Sequence, residues 1–256
     1  MRILVFLLAL AMPAVAFLNQ RGVFGPDNGA VSSQYPTLLV AAGYAFAIWG
    51  LIFLWDVVFG AWQLRAHPRD SRALARARPW AASGFALTAL WMPVFSMGRP
   101  DNALFGLALL IIWLALACMA IAAIILVDDR SPPNRQRWLA DVPLSLHAGW
   151  LSLAAFLNTA QVIVAYRLLP TDRMLPWSLA LLVAAAVVLM ALNQRMRGNV
   201  AYVLPVVWGL VAAWVKQKGS DLPGADVTAL VSLVIAATLV LQTAFLRMRR
   251  RTPSTR

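Results

Sequence analysis

Eight apolar runs, each 16 or more residues long, follow one another along this chain, and all but one of its arginines lie outside them, in the short segments between runs and at the two ends. A hydrocarbon core about 30 Å thick is crossed by about 20 apolar residues in a helix. Backbone in lipid must satisfy its own N–H and C=O groups, which leaves helices or a closed barrel as the spanning structures. Runs of this length, without strict alternation, predict helices. The fold expected is all-α: a polytopic membrane bundle of about eight transmembrane helices.

Composition agrees. The chain is 61% hydrophobic and 12% charged, unlike a soluble domain. A net charge of +12 suggests nucleic acid only if the charge forms a patch. Here the arginines lie between apolar runs, where membrane topology places them, so no nucleic-acid partner is expected. The single cysteine, Cys118, sits inside an apolar run, so neither a disulfide framework nor a CxxC motif exists.

The runs fall at residues 3–18, 37–64, 80–97, 103–127, 141–169, 176–193, 200–215 and 227–246. Ala14-Val15-Ala16 resembles a signal-peptidase site, so a cleaved signal is the alternative to the retained first helix favoured here. Residues 19–36 read as a polar loop, residues 65–79 as a five-arginine loop without structure of its own, and residues 128–140 as a loop broken by Pro132 and Pro133. With an inside N-terminus and eight spans, 16 of the 22 basic residues lie on the inner side. The positive-inside rule then places both termini in the cytoplasm, with a bacterial inner (cell) membrane as the expected location.

The second run organises the rest. Tyr44, Trp49, Trp55 and Trp62 stud it, with one carboxylate, Asp56, inside. Such a density of aromatic rings reads as the wall of a binding cavity. The fifth run carries the most chemistry. At about 100° per residue, His147 and Asn158 fall within about 20° of each other, with Trp150 and Gln161 on the same side. Polar groups in lipid face a bundle interior or a wet cavity, although such a stripe also serves as interhelical glue. Trp91 and Trp113 lie deep in their runs, where an indole N–H needs a partner. Trp62 and Trp80 flank the arginine loop as interfacial anchors.

Several chemistries are excluded. A bis-histidine haem needs two histidines at membrane depth, but only His147 and the loop residue His67 exist. A retinal Schiff base needs a mid-span lysine, and Lys216 and Lys218 stand at a span end. HExxH, GxSxG and Walker patterns are missing. No enzyme activity, metal or cofactor is expected.

Three motifs carry a family resemblance. YAFAIWGL (residues 44–51) looks like the aromatic second helix of the TspO/MBR tryptophan-rich sensory proteins, which include the translocator (peripheral benzodiazepine receptor) proteins. WMPVF (residues 91–95) followed by Gly98 is similar to their third-helix pattern. PLSLHAGW (residues 143–150), ending at Leu157-Asn158, resembles their fifth. The resemblance covers about residues 37–168 and implies a five-helix bundle around a pocket for porphyrin- or sterol-like ligands. Pocket positions carried over are Trp49, Trp91, Trp150 and Asn158, joined on residue chemistry by Tyr44, Trp113 and His147. Two departures matter: no tryptophan lies in the first loop, where the family carries a lid motif, and three extra helices follow residue 170. The division expected is a TspO-like five-helix bundle over residues 1–169 and three additional helices with a basic tail over 170–256.

The function expected is a membrane receptor or sensor that binds a small flat apolar ligand in a Trp-lined pocket. Its partners are that ligand and the lipid bilayer, with a homodimer left open. The alternative is a multi-pass transporter for a small amphipathic solute. It rests on the recurrence of Trp49-Gly-Leu-x₃-Trp55 as Trp208-Gly-Leu-x₃-Trp214 in spans of opposite direction, as inverted repeats require. A third reading uses His147 or Asp56 to move protons on a bound pigment.

Overall fold

The computed structural model describes residues 1–65, 71–129 and 132–251. Its elements are α1 (Arg2–Gln20), α2 (Asn28–Gln34), a 3₁₀ turn (Gly43–Ala47) that runs into α3 (Ile48–Leu64), α4 (Arg72–Met97) and α5 (Leu104–Val127). A single turn, α6 (Asn134–Gln136), and a π-helical turn (Arg137–Asp141) lead into α7 (Val142–Ala165). The chain continues with α8 (Met174–Arg195), α9 (Val200–Lys218) and α10 (Ala225–Arg251). Among the described residues, eight helices are long and apolar enough to cross a membrane, and no strand is present.

The segment that ends in α7 is the hub: 72% of its apolar window is buried inside the protein, against 22% for α1 at the edge. α5 lies on one side of α7 and α9 on another, α3 closes a third, and the α1–α4 pair completes the first half. α10 packs against α8 and α9. The boundary expected at 169/170 falls between α7 and α8, and the later helices are packed tightly onto the earlier ones across it. At the α7–α9 crossing, a Cβ on Gly149 would strike the Tyr202 carbonyl oxygen, and one on Gly209 would strike the Leu153 side chain. Small residues of this kind let membrane helices approach closely.

Three local readings are corrected. Residues 37–42 are not helical, although they are apolar. Their backbone is bonded elsewhere: Ala42 N donates to Ala212 O at 3.0 Å, and Gln217 Nε2 donates to the carbonyls of Thr37 (3.1 Å) and Val40 (3.0 Å). Thr37 Oγ1 accepts from the amides of Leu39 and Val40. Non-helical backbone at membrane depth persists where protein satisfies it, and α9 does so here.

The arginine loop is the second correction, because α4 begins at Arg72 rather than at Trp80. Ser71 caps it by accepting from Leu74 N at 3.1 Å, and Arg78 is buried, donating through Nε to Gln63 Oε1 at 3.1 Å. His67 and Arg69 lie outside the described residues, as does Arg130. Third, the first loop contains α2, capped by Asp27, whose side chain accepts from Ala30 N. A buried polar cluster clips this helix down: Asn19 Nδ2 donates to Asn28 Oδ1 (3.0 Å), and Ser96 Oγ lies 2.7 Å from Asn19 Oδ1 and 2.9 Å from Asn28 Oδ1.

Candidate functional site

Trp49 of α3, Trp91 of α4 and Trp150 of α7 converge inside the bundle. The Trp49 ring lies 6.4 Å from Trp91 and meets Trp150 edge-on at 6.0 Å. Trp91 stacks on Phe95 at 4.9 Å, and Phe95 on Phe105 at 5.0 Å. Such offset and edge-on pairs are favoured by the ring quadrupoles. All three indoles are buried, so none of them faces lipid.

They enclose a small cavity with Asn158, Gln161, Ser32, Phe46 and Ala41 among its walls. Its volume is about 20 Å³, space for about one water molecule. Two further cavities adjoin it. One, of about 170 Å³, is lined by Asn19, Asp27, Asn28, Phe46, Trp49 and Phe53. The other, of about 90 Å³, is lined by Ser32, Ser33, Val40, Phe46 and Lys216. Phe46 lines all three, so its side chain is the partition between them. It belongs to the 3₁₀ turn below α2, and the N–H of Trp208 on α9 donates to Ala45 O beside it at 3.2 Å. The cover of the chamber is therefore α2 and the strap 37–47, held from α9. It stands where the family's tryptophan lid motif was missing from the sequence.

The polar groups of the chamber are donor-rich. Trp91 Nε1 donates to Asn158 Oδ1 at 3.0 Å, which orients the amide with Nδ2 left without a partner among the described residues. The buried Trp150 Nε1 also has no acceptor there. Gln161 Nε2 donates to Ser32 Oγ and so ties α7 to the cover. A buried donor left unpaired costs about 1–3 kcal/mol, which a molecule carrying an acceptor would relieve.

His147 stands behind Trp49, whose ring it meets edge-on at 5.7 Å, and stacks on Phe85 at 5.9 Å. Its Nδ1 lies 2.8 Å from Asp56 Oδ2 and its Nε2 lies 3.1 Å from Thr88 Oγ1. With Asp56 ionised, Nδ1–H donates to the carboxylate and Nε2 accepts the Thr88 hydroxyl. Asp56 and His147 are fully buried, and Asp56 Oδ1 has no partner among the described residues. The histidine lies in the protein interior, one ring away from the chamber.

Two expected site residues stand apart. Tyr44 is 44% exposed and meets Trp208 edge-on at 5.3 Å. Trp113 faces another side of α7, where Nε1 donates to Thr159 Oγ1 at 3.2 Å and the ring meets Phe156 edge-on. The repeated WGL motif is also not equivalent in space. Trp49 is a buried chamber wall, whereas Trp208 is 40% exposed. Phe46, Phe95 and Ser32 were missed as site residues: Phe46 and Phe95 stand inside the YAFAIWGL and WMPVF motifs, but their tryptophans drew the reading, and nothing in the local sequence marks Ser32.

Fold and site define a polytopic helical membrane protein with an aromatic chamber near one end of the bundle. The model of the TSPO-like protein family matches residues 2–245, and the chain belongs to that family. The match spans α8–α10 as well as the first five spans, so the later helices are part of what the family shares. No curated protein and no solved structure matches the chain.

Proposed function

We propose that the protein is a membrane receptor or sensor, not an enzyme, and that it binds a small flat apolar ligand of porphyrin- or sterol-like shape between the indoles of Trp49, Trp91 and Trp150. One observation carries the reading: three indoles from three helices meet at a cavity where the buried Trp150 Nε1 has no acceptor among the described residues and the Asn158 amide lines the wall. Apolar walls with a few orienting polar groups are the usual form of a small-molecule site. A ligand with a carbonyl or ring nitrogen at its edge complements those donors.

The cavity of about 20 Å³ takes no such ligand as it stands. Entry requires Phe46 to rotate and merge the central space with its neighbours, while the cover of α2 and strap 37–47 lifts. Both termini lie in the cytoplasm of a bacterial cell in this reading, which places the cover on the outer face.

The test is a titration of purified protein with protoporphyrin, read by tryptophan emission. Saturable quenching is expected, weakened about tenfold or more in Trp150→Ala, in line with the loss of a large buried aromatic contact. Trp113→Phe, outside the chamber, should leave the affinity unchanged. Quenching that rises linearly and equally in all three proteins would overturn the proposal.

A further inference from the structure

We propose that a cleft at the arginine-rich end of the bundle binds a phosphate group, carried either by an anionic lipid headgroup or by a soluble phosphorylated molecule. The site is independent of the aromatic chamber and sits at the opposite end of α7.

The cleft encloses about 590 Å³, and three arginines line it: Arg137, Arg197 and Arg247. They come from three places far apart in sequence, namely the π turn before α7, the α8–α9 turn and the end of α10. Arginines scattered along a membrane edge need not meet; here the fold gathers them at one hollow. Arg197 adopts φ 58°, the left-handed region that a side-chain-bearing residue rarely enters, and Gly198 follows with φ 71°. That pair turns the chain sharply back over α10. A Cβ at Gly198 would lie 3.1 Å from Thr243 O and 3.5 Å from Arg247 Cγ.

The charges of the cleft are unequally committed. Asp128, just outside, receives both terminal nitrogens of Arg195 at 3.0 and 2.7 Å and one from Arg197 at 3.2 Å. Of the two acids that line the cleft, Asp141 Oδ1 already accepts from Ser145 and Asn199, and Asp129 Oδ2 accepts from Gln136 Nε2. Arg137 and Arg247 have no ionic partner among the described residues. Among the described residues the walls therefore hold two guanidinium groups without an ionic partner and a third shared with Asp128, while Asp141 Oδ1 and Asp129 Oδ2 keep their charge but are turned to hydrogen-bond donors. The N-terminus of α9, capped by Asn199, opens on the same space and adds the positive end of a helix dipole. Guanidinium forks match phosphate oxygens in number and geometry.

The experiment uses the full chain, and its first arm is native mass spectrometry with equimolar phosphatidic acid and phosphatidylcholine. Phosphatidic acid should be enriched among the adducts. The enrichment should fall about fivefold in R137Q or R247Q and about 25-fold in the double variant, at about one lipid-facing charge per arginine. R249Q, on the same helix end but outside the cleft, should keep it. The second arm titrates inorganic pyrophosphate calorimetrically in neutral detergent. Saturable heat that the double variant abolishes assigns a soluble phosphate, whereas lipid enrichment without such heat assigns a headgroup. The proposal is overturned if neither arm responds, if enrichment survives the double variant, or if R249Q lowers it equally. The arginines are exposed, so the variants fold, and helical circular dichroism with an unchanged melting temperature verifies it.

Discussion

Removing the carboxylate of Asp56 is the most severe test of the interior. In Asp56→Ala, His147 Nδ1 loses an acceptor 2.8 Å away at a site where both side chains are fully buried. Breaking a buried pair by removing one partner costs about 3–5 kcal/mol. The components are an unpaired imidazole N–H, worth about 1–3 kcal/mol, and the lost packing of the carboxylate. For a chain of this size, about 2–4 °C of melting temperature accompanies each kcal/mol. The expected drop is therefore about 6–20 °C, measured by tryptophan emission or circular dichroism in one detergent. Asp56→Asn keeps an acceptor for Nδ1–H and should recover at least half of the loss. The double variant Asp56→Leu/His147→Leu should be more stable than Asp56→Ala, because an apolar pair leaves no orphaned polar group. An Asp56→Ala protein that melts within about 2 °C of the parent would refute the reasoning, since a pair worth so little is not sealed from solvent.

Other outcomes follow from the same geometry. Gly149→Val should lower the melting temperature by at least as much as an overpacked core residue does, about 1–3 kcal/mol, because its side chain meets the Tyr202 backbone; thermal unfolding checks it. Trp91→Phe should cost about 1–3 kcal/mol by stranding the Asn158 carbonyl oxygen, read in the same assay. Trp208→Phe removes the hydrogen bond to Ala45 O and should speed porphyrin entry and exit in stopped-flow quenching, by loosening the strap from α9. The Asp128 carboxyl is held below the usual carboxylate range, first by its hydrogen bond from Arg195 and then by the charges of Arg195 and Arg197. Its contribution is present above the ordinary carboxylate pKa and is lost as pH falls through the depressed one. Melting temperature followed from pH 7 to pH 3 should therefore decline less steeply in Asp128→Asn, by a small margin because the pair is exposed.

The eight crossings were legible because each requires only length and apolarity, and the ends of most helices fall within a few residues of the runs. The start of α4 was not, because Pro79 and a row of arginines resemble a loop. Its signal is the Ser71 cap, and the buried Arg78 is met by Gln63 of α3. Residues 37–42 misled for the opposite reason. They are apolar enough for a helix, and partners some 170 residues later, Ala212 and Gln217, help to hold them out of one. In the chamber, the stripe of Trp150, Asn158 and Gln161 was legible from helical spacing. Trp113 has the same local character as Trp91 and differs only in which neighbour its helix turns it toward. The Asp56–His147 pair spans 91 residues. Its clue in the sequence is that an acid and a histidine, each costly alone in lipid, both stand inside apolar runs.

Photocrosslinking with a porphyrin that carries a diazirine, followed by peptide mapping, tests the central claim most directly. Adducts are expected on Phe46, Trp49, Trp91, Trp150 and Leu157, lost when unlabelled porphyrin competes. Labelling confined to outward-facing residues such as Leu54 and Leu110, both more than half exposed, and indifferent to competitor, would contradict it.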